Sequence, residues 1–91
     1  MKISDYIPTG EANAISNKQV AVLAKCTPRE VRRLVEQARQ EGEPICSCDN
    51  GYFIAETADE LRRMLRKHYH QINTMIATAK GLEHALLEMS E

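Results

Sequence analysis

Six residues between positions 18 and 39, Lys18, Lys25, Arg29, Arg32, Arg33 and Arg39, face only Glu30 and Glu36 as acidic neighbours in the same stretch. A cluster of this kind has one well-defined chemistry: a guanidinium can donate two parallel hydrogen bonds to guanine O6 and N7, and cations at a helix face can neutralise phosphates. Arg29 and Arg32 are the candidates for base contact. Arg33, Arg39, Lys18 and Lys25 are candidates for phosphate, and Thr27 stands where a helix begins and its free backbone amides favour anions. The competing reading is a solvated helix face, which is what most charge runs are.

Other reactive residue types do not combine into a site. Cys46 and Cys48 lie two apart, and Cys26, His68, His70 and His84 are scattered. Structural zinc sites pair ligands as C-x2-C or H-x3-H, and neither spacing occurs, so no metal is expected and the thiols read as small hydrophobes. No Ser or Cys nucleophile has a histidine at a recognisable local spacing, and no glycine-rich phosphate loop is present. The expectation is a protein that is not an enzyme, with no cofactor and no small-molecule substrate. Aromatic residues make up 4% of the chain, with no Trp, so the stacking platforms that hold single-stranded nucleic acid are missing.

The segments that must position the basic residues can be read from their boundaries. Ser16 followed by Gln19, Thr27 by Glu30 and Thr57 by Glu60 each have the spacing of a capping box, and Pro28 suits the first helical position. The first helix is expected over Asn17 to Lys25, with Val20, Leu23 and Ala24 inward. The second is expected from Pro28 to Glu41, where Val31, Leu34, Val35 and Ala38 form an apolar stripe that leaves the arginines off the core face. Gly42 and Pro44 end it. Ile45 to Cys48 and Tyr52 to Ala55 read as strands joined by Asp49-Asn50-Gly51, with Asn-Gly supplying the positive backbone angles of a tight turn. Before Ser16 the chain is broken by Pro8 and Gly10, and a short helical turn docked on the core through Ile3, Tyr6 and Ile7 is expected.

Helix, short turn, helix and antiparallel hairpin is the order of a winged helix-turn-helix, whose second helix enters the major groove. Residues Ile15 to Ala55, with Arg32-Arg33-Leu34 leading through Glu41-Gly42-Glu43-Pro44-Ile45 to Gly51-Tyr52, resemble winged-helix domains of bacterial and phage DNA-binding proteins. The N-terminal module of the biotin operon repressor and small prophage-encoded regulators are similar. The resemblance implies a fold and a ligand class: sequence-specific binding of double-stranded DNA, as in transcription regulation or a small phage DNA-binding protein. Asn50 at the hairpin tip could reach sugar or phosphate, but the tip has no Lys or Arg, which a wing in the minor groove would normally use. The alternative is a winged-helix module that assembles proteins without DNA.

No proline interrupts the chain after Thr57, and about 32 residues, roughly 48 Å of helix, can follow. Leu61, Leu65, His68, Ile72, Met75, Ala79, Leu82, Leu86 and Met89 recur at alternating spacings of four and three, a heptad seam with Leu65, Ile72, Ala79 and Leu86 at a. Met64, Tyr69, Ile76 and Ala85 widen the stripe. A domain of this length has a compact radius of about 12 Å, so the distal half must project, and a homodimer is expected to cover it. Two His68 side chains facing one another in such a seam would repel when both are protonated, which would weaken assembly in acid. Gly81 lies inside this helix and could mark a kink.

The expected fold is therefore mainly α (α+β), a winged helix-turn-helix over residues 1–57 with a two-stranded hairpin wing, followed by a long C-terminal dimerisation helix over 58–91. With 91 residues, the chain has room for one small domain, and the formal net charge of −1 predicts weak non-specific attraction to DNA. No apolar run has the length to span a bilayer and the N-terminus lacks a signal-peptide stretch, so no membrane partner and a cytoplasmic location are expected.

Overall fold

The computed structural model describes residues 2–90. It is mainly helical, with three α-helices and one antiparallel hairpin: α1 (Asn17–Ala24), α2 (Pro28–Gln40), β1 (Ile45–Cys48), β2 (Gly51–Ile54) and α3 (Ala58–Met89). Two 3-10 turns, Ile3–Tyr6 and Glu11–Asn13, precede them. No helix among the described residues is long and apolar enough to cross a membrane.

Each helix starts where its cap dictates. Ser16 accepts a hydrogen bond from the Gln19 amide at 3.1 Å while the Gln19 side chain accepts from the Ser16 amide at 2.8 Å, and Thr57 and Glu60 make the same reciprocal pair. Only half of the third expected box forms. Thr27 accepts from the Glu30 amide at 3.1 Å, but the Glu30 side chain does not return the bond. Pro28 at the first helical position has already fixed that end.

The core is a single aliphatic cluster between α1, α2, the hairpin and the first 3-10 turn. Val20, Val31, Val35 and Ile45 are its fully buried side chains, each contributing about 2 kcal/mol by its removal from water. Ile3 and Ile7 close it from the N-terminal side, as the docked helical turn expected from the sequence. On α1 the buried face is Val20 and Ala21, with Leu23 turned outward at 55% exposure. The expected inward Leu23 is therefore corrected: in eight residues the pattern spans little more than two turns, too short to fix the rotation of the helix.

The hairpin pairs Ile45 with Ile54 and Cys48 with Gly51, so β2 begins one residue earlier than expected and Ala55 lies outside it. Asp49 and Asn50 form the turn, and Gly51 alone takes a positive φ, +123°. The β2 edge is covered by backbone pairing, which removes an exposed row that promotes aggregation. Along β2 runs the segment before α1: Ile15 and Tyr52 exchange bonds of 3.1 and 2.8 Å, Gly10 donates to the Ile54 carbonyl, and the Ile54 amide donates to Pro8. On the β1 side, Arg39 Nε donates to the Ile45 carbonyl at 2.8 Å, and the Ser47 hydroxyl meets the Met64 sulfur of α3 at 3.9 Å.

Only the base of α3 touches this body. Glu60 fastens it: its carboxylate accepts from the Glu56, Glu11 and Thr57 amides at 2.7, 3.1 and 3.3 Å. These bonds, that from Glu56 foremost, hold its pKa below the ordinary glutamate range. A depressed folded value means that the stabilisation is present above the ordinary range and disappears as pH falls through the folded value. Thermal unfolding of Glu60→Gln and the parent protein is therefore expected to differ near neutral pH and to converge as pH falls through the depressed folded value. A constant gap across that window would mean that the charge is irrelevant to docking.

Beyond its base α3 buries nothing, and it runs unbroken through Gly81. Ile72, Met75, Leu82 and Leu86 are 47%, 72%, 67% and 65% exposed. The helix stretches the molecule to 55 Å in its longest dimension, with a radius of gyration of 17.1 Å, well above the about 12 Å of a compact chain this size.

Candidate nucleic-acid interface

The stripe Val31, Val35 and Ala38 is buried and Leu34 half-buried, which rotates the opposite side of α2 to solvent. Arg29, Arg32 and Arg33 lie on that side, all exposed, and none has a hydrogen bond or ion pair among the described residues. Three guanidiniums within the first two turns of a helix, at its positive end, are free to engage an anionic surface. Thr27 is exposed at the cap and its Oγ1 is occupied as the acceptor for Glu30, so only its hydroxyl hydrogen remains to donate to a phosphate. Lys18 on α1 and Lys25 at the end of α1 are also exposed. Lys25 sits in the left-handed region at φ +56°, a conformation that makes the sharp turn from α1 into Thr27.

Arg39, expected as a phosphate contact, lies apart from this group and is half-buried in the last turn of α2. Besides its bond to Ile45, its guanidinium lies 6.0 Å from the centre of the Tyr52 ring, and Nη2 is buried without a hydrogen-bond partner. Tyr52 Oη in turn receives Asn17 Nδ2 at 3.4 Å. No spacing or motif announces this column of Arg39, Tyr52 and Asn17, because its members are joined only by the fold. It ties the end of α2 to β2 and to the start of α1, and so fixes the angle at which α2 is presented.

At the hairpin tip Asn50 and Asp49 are exposed, and no cation stands beside them in the sequence. Of the cations at the base of α3, Arg62 pairs with Asp59 at 2.7 Å and Arg63 with Glu11 at 3.5 Å, both exposed and of little energetic weight. Arg66 and Lys67 have no such partner among the described residues. Cys46 is buried, and burial pushes its thiol pKa up. Cys26 and Cys48 are half-buried, and among the described residues no three His, Cys, Asp or Glu side chains converge as metal ligands would.

No family model, curated protein or solved structure matches the chain.

Proposed function

We propose that this chain is a winged helix-turn-helix protein that binds duplex DNA through α2, with β1 and β2 as its wing, and that it acts as a homodimer assembled on α3. The observation that carries the reading is the unpaired, exposed set Arg29, Arg32 and Arg33 at the amino end of a helix whose other side is locked into the core. Arg29 and Arg32 read bases. Arg33, Lys18 and Lys25 hold phosphates and set the register, with Thr27 donating to the backbone beside them. Such a protein would serve as a transcriptional regulator or a small phage-type DNA-binding protein.

Selection from randomised duplex DNA, followed by gel shift at two salt concentrations, tests this. A defined sequence is expected, and Arg29→Ala or Arg32→Ala should each weaken its binding by roughly 10-fold or more while relaxing preference at one base pair. Retention of the full affinity in both variants, or selection of no sequence, would refute it. A second reading, a winged-helix assembly module, is favoured by the acidic wing tip and by Val22, 77% exposed beside Leu23 on α1. That reading predicts no selected sequence.

A further inference from the structure

The seam of α3 is not uniform along its length. Near the base, Leu61, Leu65 and His68 form one wall of an open groove whose other wall is Arg39, Glu43 and Ile45 of the domain. Its volume of about 170 Å³ is close to the roughly 150 Å³ that accommodates a benzene ring, enough for a leucine side chain. The distal half has no such wall, only exposed helix. Charge divides the same way: Asp59 to Lys67 holds four cations against two carboxylates, while Lys80 to Glu88 holds one cation against two carboxylates.

We infer that the occupant of this groove is the distal end of α3 from a second copy of the chain, so that the two α3 helices pair antiparallel. The inference rests on the reading of α3 as the self-association surface and specifies its geometry. A parallel partner would bring its own domain to the side where the first domain already flanks the seam, and would set the two basic ends together. An antiparallel partner brings only a bare helix, with its acidic end against the basic base. The heptads also select a register. Leu61 meets the partner's Leu86, Leu65 the partner's Leu82, His68 the partner's Ala79, and Ile72 the partner's Met75, so the one bulky polar residue of the seam faces its smallest member. Flanking this core, Arg62 falls opposite the partner's Glu83 and Tyr69 opposite the partner's Ile76. His68 does not meet itself, so the mutual repulsion expected of a parallel seam is absent. The bases of the two α3 helices then stand about 38 Å apart, from 25 residues at 1.5 Å each, near the 34–36 Å between successive major-groove half-sites on one face of DNA.

Cross-linking decides the orientation. In a Cys26→Ser, Cys48→Ser background that retains the buried Cys46, His68→Cys and Ala79→Cys proteins are oxidised separately and after mixing. The mixture is expected to give a disulfide dimer that Ala79→Cys alone does not, because the two Ala79 positions are about 16 Å apart along the axis, beyond the reach of a disulfide. In the otherwise unaltered chain, Arg62→Glu and Glu83→Arg should each weaken the dimer about threefold or more in sedimentation equilibrium, and the double variant should restore it. Self-linkage of Ala79→Cys, or a double variant no tighter than either single one, overturns the antiparallel register while leaving a dimer that can bind DNA. A parent protein that sediments as a monomer overturns this inference and the self-association reading together.

Discussion

Gly51→Ala is expected to unfold the domain, with a loss of about 4 kcal/mol or more in urea denaturation. A Cβ at this position would stand 1.9 Å from the Ile15 carbonyl oxygen and 2.8 Å from Ser16 Cα, so main chain, not a movable side chain, must give way. That main chain is pinned. Ile15 and Tyr52 exchange backbone bonds in both directions, and Ser16 caps α1. The positive φ of +123° adds strain of about 1–3 kcal/mol for any residue with a side chain. Gly42→Ala separates the two contributions, since Gly42 has φ +96° and nothing within 4 Å of an added Cβ. It should cost only the strain, about 1 kcal/mol. Equal losses at the two glycines would show that the close approach to Ile15 is not what Gly51 serves.

The contrast between these glycines marks what could be read from the chain. Gly42 ends α2 and lies before Pro44, a local signal visible in sequence, and the caps at Ser16, Thr27 and Thr57 are local in the same way. The importance of Gly51 depends on Ile15, a residue 36 positions away, and no periodicity announces that approach. The same distance hid the pairing of residues 8 to 15 with β2. Among the candidate contacts, Arg29, Arg32 and Arg33 were legible because their position follows from the stripe of their own helix. Arg39 was not. It sits in the last turn of α2, where the returning hairpin offers the Ile45 carbonyl and the Tyr52 ring, and tertiary contact overrides its helical position. The length of α3 and its exposed apolar residues were legible, but the groove at its base needed Ile45 and Glu43 brought alongside.

If α2 reads DNA and α3 is the assembly surface, as proposed, truncation after Lys67 should leave a folded monomer whose affinity for DNA falls by roughly 100-fold or more. The domain survives because its buried residues all precede α3, and the truncated helix keeps Glu60 with its three amide donors and Met64 against Ser47. What is removed is the exposed apolar stretch from Ile72 to Leu86, which α3 buries against nothing in its own chain. The loss in DNA binding follows from the linkage of two sites: once one winged domain of a dimer is bound, the second binds at high effective concentration, a gain of about 10² to 10⁴ that a monomer forfeits without losing any contact of its own. Because the basic face on α2 is intact, the salt dependence of the monomer should keep about half the slope of the dimer, as half the phosphates are neutralised. A truncated protein that still sediments as a dimer would place the assembly surface elsewhere, with Val22 and Leu23 of α1 the next exposed apolar pair to substitute. A monomer with undiminished affinity would mean that one copy of α2 reads the whole site.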